Sequence, residues 1–430
     1  MVVPTIQILY LKELISMKSS NSKWNVLLFL SLSSCGNMGD SYRTASTAAG
    51  SQGPSTTSVP PQTTLTGDNV IPITVNGSTC SNNSYSNKPC VSVTVCEPGS
   101  QNCVTINDIL LDTGSYGLRL HKVTLDSLNL TQVTSGSGSL AECVQYGDGS
   151  SQWGPVKMAE VKLGNEPSVQ VPIEVIDSTF VGASNCGTPE TSPAQSGFNG
   201  ILGVGLFAQD CGANCATNAN NQNYYACNGS TCTGTTVALQ NQVQNPVSLL
   251  PTDNNGVIIE LPPVPLGGAD SVEGYMVLGI GTQSNNTPSN VQTYQADPSM
   301  AMFQTTFEGQ QNDSFLDTGS NGLFFEAPTG SIPDCGNTDS NFAGWFCPSS
   351  PISLSATNQS TTGSVSGGVI FDIGNFISLI SSNKNVFVDN GANGGGAYFD
   401  WGLPFFFGKN VYVGIEGKNS TLGNGPYWAY

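Results

Sequence analysis

The sequence Ile109-Leu110-Leu111-Asp112-Thr113-Gly114-Ser115-Tyr116-Gly117-Leu118 decides the fold, because a second copy follows it 205 residues later as Ser314-Phe315-Leu316-Asp317-Thr318-Gly319-Ser320-Asn321-Gly322-Leu323. Each copy places Asp-Thr-Gly-Ser between two short apolar runs, which predicts a tight turn between two strands. One copy would be ordinary turn chemistry. Two copies with matching flanks, at a domain-sized interval, predict two similar lobes that each present one carboxylate on such a turn.

The composition favours an all-β protein. Only 10% of the 430 residues are charged, and the chain contains 50 Gly and 25 Pro, so charge-rich helices are excluded and turns between short strands are favoured. Short apolar runs with strand-like composition lie at Val70–Val75, Val91–Val95, Ile109–Leu111, Val156–Leu163, Val169–Ile176, Val257–Leu261, Tyr275–Ile280, Ser314–Leu316, Leu323–Phe325, Val369–Ile373 and Val411–Ile415. The net charge of −18 repels phosphates, which excludes nucleic-acid binding as a function.

The single histidine, His121, limits the catalytic chemistry. Zinc sites of the HExxH type need two histidines, and a serine-histidine-aspartate triad would depend on His121 without a GxSxG nucleophile elbow. We therefore expect His121 to be a solvated loop residue without a catalytic part.

The N-terminal residues have the layout of an export signal. Trp24–Leu32 is an apolar run too short to span a bilayer, and Lys18 and Lys23 precede it. Residues 1–34 are predicted to be a signal region whose true start is Met17. The sequence Leu32-Ser33-Ser34-Cys35 resembles a bacterial lipobox, which implies that Cys35 is lipidated and anchors the protein to the cell envelope, on the periplasmic side or at the outer membrane. The alternative is ordinary cleavage nearby, which would give a freely secreted protein.

The cysteine count agrees with export. The chain has 13 cysteines, an odd number that needs an explanation in an oxidising compartment. If Cys35 carries the lipid, the other twelve can form six disulfides. The Cys-dense stretches Cys80–Cys103 and Cys211–Cys232 are predicted to be disulfide-stapled loops. Their spacing also allows a zinc site, which the oxidising compartment disfavours.

The chain divides into four predicted segments. Residues 1–34 form the signal region, and residues 35–68 hold the lipidated cysteine and a flexible tether rich in Ser, Thr, Pro and Gly. Residues 69–250 are predicted to form an N-terminal β lobe and residues 251–430 a C-terminal β lobe. Each lobe contains one Asp-Thr-Gly-Ser copy.

Two carboxylates at a lobe interface have a definite chemical use. Asp112 and Asp317, if about 3 Å apart, cannot both ionise comfortably and would share one proton. The ionised member can act as general base on a water, while the protonated member can donate to a substrate carbonyl. Glycine allows close approach and the serine hydroxyl can orient the carboxylate. The supporting residues of the two turns are Thr113, Gly114, Ser115, Thr318, Gly319 and Ser320. The pattern predicts amide hydrolysis that requires no metal, cofactor or covalent intermediate.

These features resemble the pepsin-like, two-lobed aspartic peptidases, and the likeness covers roughly Val70 to the C-terminus. Tyr146-Gly147-Asp148-Gly149-Ser150 resembles the flap hairpin of that family, which implies that Tyr146 closes over the substrate. Phe198-Asn199-Gly200-Ile201-Leu202-Gly203 and Phe399-Asp400-Trp401-Gly402 are similar to the two apolar-Gly segments behind the catalytic turns. The resemblance implies an all-β, two-lobed fold with its active site at the lobe interface.

Three positions depart from the family pattern. Arg119 occupies the place where the family usually has the tryptophan that anchors the flap tyrosine. Asn199 replaces a common Asp, and Asp400 lies in a loose version of the second apolar-Gly segment. These departures bear on flap geometry and substrate preference more than on the two aspartates.

The function expected from these residues is that of an aspartic endopeptidase. It would cleave peptides or unfolded proteins as a monomer, with a lipid anchor in the membrane and no metal or cofactor. The alternative is a non-catalytic cell-envelope binding protein on the same fold, which binds a partner through the cleft or the Cys-rich loops. For Tyr146, the altered Arg119 position leaves open a second interpretation, that of an ordinary hairpin aromatic. A third interpretation is a disulfide-stapled adhesin whose Asp-Thr-Gly-Ser copies are only turns.

Overall fold

The computed structural model describes residues 64–430 except 83, 395 and 397, so the predicted signal region and Cys35 lie outside the described residues. The strands in the first part of the chain are β1 (Val70–Val75), β2 (Pro89–Cys96), β3 (Cys103–Asp112), β4 (Tyr116–His121), β5 (Thr131–Gln132), β6 (Thr134–Ser135), β7 (Gly138–Gln145), β8 (Ser151–Lys162), β9 (Val169–Ile176), β10 (Gly200–Val204), β11 (Tyr224–Asn228) and β12 (Thr231–Gly234). Those that follow are β13 (Gly256–Leu261), β14 (Val272–Leu278), β15 (Thr293–Gln295), β16 (Phe303–Phe307), β17 (Gln310–Asp317), β18 (Leu323–Phe325), β19 (Ile352–Gln359), β20 (Ser366–Ile373), β21 (Gly391–Asn393), β22 (Tyr398–Gly402), β23 (Lys409–Gly414), β24 (Asn419–Ser420), β25 (Gly423–Asn424) and β26 (Tyr427–Ala429).

Among the described residues helices are few and short, which confirms the all-β prediction. The α-helices are α1 (Pro193–Ser196), α2 (Gly212–Thr217) and α3 (Phe376–Ile380). The 3₁₀ turns are Lys122–Leu125, Ala183–Cys186, Leu239–Asn241, Pro246–Leu249, Ser284–Asn286, Cys335–Asn337, Ser340–Phe342 and Leu403–Phe406. Among the described residues, no helix has the length and apolar character needed to cross a membrane.

A repeated strand arrangement lies behind the two Asp-Thr-Gly-Ser turns. In the first copy, β10 lies between β3, to which it is parallel, and β4, to which it is antiparallel. In the second copy, β22 lies in the same way between β17 and β18. The register places Gly203 beside Asp112 and Gly402 beside Asp317. Each aspartate therefore ends an interior strand of its sheet, not an edge strand.

An antiparallel sheet joins distant parts of the chain in the order β1-β14-β13-β23-β26-β15. Strand β1 pairs with β14 along its whole length, from Val70 opposite Val277 to Val75 opposite Val272. Valine or isoleucine recurs in β1, β13, β14 and β23, because branched side chains pack well on a pleated, buried surface.

The core of the second half is aromatic. Phe325 and Phe399 stack with their ring centroids 5.0 Å apart, and Phe399 lies 4.3 Å from Trp401. Five aromatic residues near the C-terminus are also buried: Trp401, Phe405, Tyr412, Tyr427 and Trp428. This core supports the strand that carries Asp317.

Six disulfides confirm the prediction for the Cys-rich loops. They join Cys80 to Cys90, Cys96 to Cys103, Cys143 to Cys186, Cys211 to Cys215, Cys227 to Cys232 and Cys335 to Cys347. Such a density belongs to an oxidising environment, so the protein is extracytoplasmic.

His121 corrects the expectation of a solvated loop residue. It ends strand β4 with a side chain that is only 2% exposed, and its Nε2 lies 2.9 Å from Ser196 Oγ. Burial lowers the pKa of His121 to about 4, because the charged imidazolium would lose hydration. His121 is therefore a neutral, buried residue at neutral pH.

Candidate active site

The two Asp-Thr-Gly-Ser turns hold their carboxylates in the same way. In the first turn, Asp112 Oδ1 accepts from the backbone N–H of Gly114 at 2.7 Å, and Oδ2 accepts from Ser115 Oγ at 2.5 Å. The second turn repeats both contacts around Asp317. Its Oδ1 accepts from Gly319 N at 2.7 Å and its Oδ2 from Ser320 Oγ at 2.9 Å. Each carboxylate is thus oriented by one backbone and one hydroxyl donor.

The threonines of the two turns lock the turns to each other. Thr113 N donates to Thr318 Oγ1 at 3.1 Å, and Thr318 N donates to Thr113 Oγ1 at 3.0 Å. Each threonine hydroxyl also donates to a strand carbonyl of the other turn, from Thr113 to Leu316 O at 2.8 Å and from Thr318 to Leu111 O at 2.7 Å. These four hydrogen bonds are buried and cross from one copy of the motif to the other. The crossing fixes the relative position of the two aspartates.

The glycines show how closely the two turns approach. A methyl group on Gly114 would lie 2.6 Å from Cγ of Asp317, and one on Gly319 would lie 2.9 Å from Cγ of Asp112. Any side chain at either position would displace the opposite carboxyl group. The structure therefore brings together the residues that the sequence placed on two separate turns, and it leaves room for nothing larger than hydrogen between each glycine and the opposite carboxyl group.

The two carboxyl groups are electrostatically linked. Burial raises the pKa of Asp317 well above its ordinary value, and the neighbouring charges of Asp112 and Asp400 raise it further. A hydrogen bond between the carboxyl groups of Asp112 and Asp317 acts in the same direction. A carboxyl group that bonds to another carboxyl group must share a proton with it. At neutral pH this pair therefore offers both a proton donor and a proton acceptor.

A third carboxyl group, that of Asp400, lies beside the pair. Ser320 Oγ, which contacts Asp317, also contacts Asp400 Oδ2 at 2.6 Å. Burial raises the pKa of Asp400 to about 8. In the sequence, Asp400 is distinguished only by its place in a loose version of the second apolar-Gly segment. Its partnership with Ser320 spans 80 residues and had no sequence signal beyond that departure.

The predicted hairpin at residues 146–150 is present at the end of strands β7 and β8. Tyr146 N donates to Ser150 O at 3.0 Å, and Gly149 adopts φ 88°, a conformation that favours glycine. Asp148 Oδ1 accepts from Ser150 N at 2.9 Å and stabilises the turn that also contains Gly147.

The Tyr146 side chain packs against residues next to the first catalytic-type turn. Its ring packs against the apolar group Leu110, Phe198 and Ile201, and its hydroxyl donates to Gln152 Oε1 at 2.9 Å. Burial raises the pKa of the Tyr146 hydroxyl, and the charge of Asp112 adds to the shift. The hydroxyl is therefore a neutral hydrogen-bond donor near Asp112.

Arg119 on β4 is buried, with only 2% of its surface exposed. Its guanidinium is buried and meets Glu142 at 2.8 Å, Asp210 at 3.0 Å and Glu174 at 3.3 Å. Glu142 lies on β7, one of the two strands that carry the hairpin. The ion pairs consequently connect β4 to β7, the strand that leads into the hairpin, and to Glu174 on β9.

The loop between β1 and β2 also reaches the site, which sequence reasoning missed. Asn87 Nδ2 donates to Asn321 O at 2.8 Å and to Phe387 O at 2.9 Å, and its Oδ1 accepts from Phe387 N at 2.8 Å. Asn321 directly follows Ser320. This loop therefore connects the first part of the chain to the second catalytic-type turn.

The cysteines near this loop do not supply thiolates. Cys80, Cys90 and Asp108 cluster within ligand distance of one another, but the two sulfurs are joined as a disulfide. Asp108 instead accepts from the buried Lys88 Nζ at 2.9 Å. The cluster therefore staples the loop between β1 and β2.

Comparisons with known proteins complete the description of the site. No curated protein matches the chain. Residues 66–430 match the family described as "Protein of unknown function (DUF3443)". That range contains both Asp-Thr-Gly-Ser turns, the 146–150 hairpin and Asp400. Since the match covers most of the sequence, the chain belongs to this family.

Proposed function

We propose that this protein is an aspartic endopeptidase of the pepsin-like, two-lobed type. The observation that carries the proposal is the crossing of the two turns, in which Thr113 and Thr318 exchange hydrogen bonds and each glycine abuts the opposite aspartate. Such an arrangement costs backbone freedom and buries two acids. It has an evident chemical use in holding a shared proton beside a water.

The reaction follows from the protonation of the pair. A water held between Asp112 and Asp317 gives one proton to the ionised carboxylate while its oxygen bonds to the peptide carbonyl carbon. The protonated carboxyl group gives its proton to the carbonyl oxygen, which forms a neutral gem-diol. The C–N bond then breaks, a proton passes from the first carboxyl group to the leaving nitrogen, and the second carboxylate regains its proton from the gem-diol. Atoms and charge balance without a co-reactant.

The other predicted features belong to the same proposal. The 146–150 hairpin acts as the flap, with Tyr146 closing over an extended peptide and excluding water. The N-terminal lobe is residues 69–250 and the C-terminal lobe residues 251–430, with the cleft between them. Cys35 carries the lipid that anchors the tether of residues 35–68, which keeps a monomeric enzyme near the envelope. Its substrates are peptides or unfolded proteins.

The test is cleavage of an unfolded protein by the purified, disulfide-bonded protein across about pH 3 to 8. We expect cleavage that Asp112→Asn or Asp317→Asn abolishes, because each substitution removes a titrating oxygen and leaves the turn intact. The charge-matched control is Asp126→Asn, at an exposed position in the turn after β4, which should cleave like the wild type.

Folded protein without Asp112-dependent cleavage at any pH would contradict the proposal. The cleft and the Cys-rich loops would then be tested as the binding surface of a non-catalytic envelope protein. A peptide with a non-hydrolysable tetrahedral hydroxyl group should bind the active enzyme and compete with substrate, since it imitates the gem-diol.

A further inference from the structure

We infer that Asp400 is a positioning residue that acts on Asp317 through Ser320, so that the pair Asp112 and Asp317 keeps its single shared proton into the neutral pH range. The inference rests on the proposed function for its effect on catalysis. The protonation of these acids is a property of the folded protein whether or not it cleaves peptides.

The contacts among these acids limit how many hydrogens they share. Three contacts connect them in a row: Asp400 Oδ2 to Ser320 Oγ at 2.6 Å, Ser320 Oγ to Asp317 Oδ2 at 2.9 Å, and the adjoining carboxyl groups of Asp317 and Asp112. The last two groups adjoin because Oδ1 of Asp317 and Oδ1 of Asp112 lie 3.1 Å and 2.9 Å from the point where a methyl group on Gly319 would stand. Each contact needs one hydrogen, and the Ser320 hydroxyl has only one to give. The other two must come from the acids. Two protons among three carboxyl groups leave a single negative charge on the row.

The place of Asp317 in the row indicates where this charge lies. Asp317 stands between two other carboxyl groups, and burial together with these two neighbours raises its pKa well above the ordinary value, so it keeps its proton. The hydrogens then all point one way, from Asp400 to Ser320, from Ser320 to Asp317 and from Asp317 to Asp112. In the reaction, Asp112 is the base that takes a proton from water, and Asp317 is the acid.

The unpartnered oxygen of Asp400 supports a neutral acid at the other end of the row. Asp400 Oδ1 is buried and has no hydrogen-bond partner. A lone carbonyl oxygen of a neutral acid costs less to bury than one oxygen of a carboxylate, which carries negative charge. The proton therefore belongs on Oδ2, where it can be donated to Ser320.

The fold itself does not require an acid at this position. Ile201 is the counterpart of Asp400 in the first copy of the motif, because each residue stands two places before the glycine that lies beside the catalytic-type aspartate. Ile201 is buried in the apolar group that Tyr146 contacts. The register neighbours of Asp400 are the apolar Phe315 on β17 and Phe324 on β18. The strand arrangement can therefore hold an aliphatic side chain at the position of Asp400, and the fold does not explain the acid found there.

The pH dependence follows from the order of the three acids. The charged groups that face Asp400 are Asp317 on β17 and Asp112 at the end of β3. When the row loses one proton as pH rises, its two charges lie furthest apart on Asp112 and Asp400, with Asp317 still protonated between them. The catalytic pair thereby keeps its shared proton, and the new charge on Asp400 opposes the next loss. Without Asp400, the first proton to leave is the one that catalysis needs.

The test compares kcat/KM against pH for the wild type, Asp400→Asn, Asp400→Ile and the control Asp126→Asn, over about pH 4 to 9. The isoleucine variant copies the first lobe, and the asparagine variant keeps the polar shape without the charge. Both Asp400 variants should lose activity at a pH roughly one to two units below that of the wild type, each measured relative to the maximum of its own profile. Asp126→Asn should follow the wild-type profile.

Identical alkaline limbs in the wild type and both Asp400 variants would overturn the inference while leaving the peptidase in place. If the wild type shows no Asp112-dependent cleavage, the proposed function fails first, and urea unfolding decides the inference separately. A neutral Asp400 loses its proton on unfolding, so the wild type should lose stability relative to Asp400→Asn as pH rises from about 4 to 8. Parallel stability curves for the two proteins would overturn the inference.

Discussion

Replacing Thr318 by valine tests the crossing of the two turns most directly. Valine has nearly the shape of threonine but has no hydroxyl, and the Thr318 side chain is fully buried. The substitution removes the acceptor for Thr113 N–H at 3.1 Å and the donor to Leu111 C=O at 2.7 Å. The packing stays almost unchanged, so the effect reports on hydrogen bonding.

The magnitude can be worked out from these two contacts. An unsatisfied buried polar group costs about 1 to 3 kcal/mol, and the amide of Thr113 loses its acceptor completely. The Leu111 carbonyl keeps a second lone pair for other partners. Losing the Thr318 hydroxyl as its donor therefore costs free energy at the low end of that range. We therefore expect Thr318→Val to lower the free energy of unfolding by about 3 kcal/mol. Thr318→Ser keeps the hydroxyl and should cost about 1 kcal/mol, for one lost methyl group.

The assay is urea unfolding of the disulfide-bonded protein at one pH, with Thr94→Val as the matched control. Thr94 Oγ1 lies 2.8 Å from Thr105 Oγ1 on the exposed side of β2, where water can replace the lost contact. The control should change stability by less than about 0.5 kcal/mol. Two results would refute this prediction. Thr318→Val could lower the free energy of unfolding no more than the Thr94→Val control does, or Thr318→Ser could lower it as much as Thr318→Val does.

Three further predictions follow from the same structure. Gly114→Ala should lower kcat/KM by about 100-fold while the protein stays folded, because its methyl group would lie 2.6 Å from the opposite carboxyl carbon and displace it; peptide cleavage and circular dichroism measure the two effects. Burial and the neighbouring Asp253 raise the pKa of Glu166 to about 7, so the folded state holds a proton that the unfolded state loses. Stability should accordingly fall as pH rises from about 4.5 to 7, and Glu166→Gln should remove that part of the dependence in urea melts. Replacing Cys143 and Cys186 together by alanine should cost about 4 kcal/mol by the chain-entropy relation, since their bond closes a loop with a sequence separation of 43; thermal unfolding of the purified variant checks the loss.

The repeated motif explains why much of the fold could be predicted. Asp112 and Asp317 stand at strand ends in the structure because local patterns, apolar runs and turn residues, determine where a strand stops. The 146–150 hairpin was predicted for the same reason, since its turn chemistry lies within a few consecutive residues. The disulfides were predicted as a class from the cysteine count, whereas their pairing became visible only in the structure.

The missed features depend on contacts between distant residues. Asn87 bonds to Phe387, 300 residues away, and Asp400 bonds to Ser320 across 80 residues. His121 looked like a surface residue because its partner, Ser196, lies 75 residues further along. One sequence records the identity of such residues but not their pairing, which depends on sheet register and on the packing of strands far apart in the chain.

The sheet that begins with β1 has a consequence for how the chain acquires its structure. Strand β1 can pair with β14 only when the chain about 200 residues further on is present. Strands β23 and β26, near the other end of the sequence, complete the sheet. Pairing of such high contact order makes folding slow and leaves strand edges open meanwhile. An exported chain would therefore complete this sheet only after almost all of it has crossed the membrane. Cutting off the residues around β26 should impair both halves together, because the last strand to arrive completes the sheet that joins them.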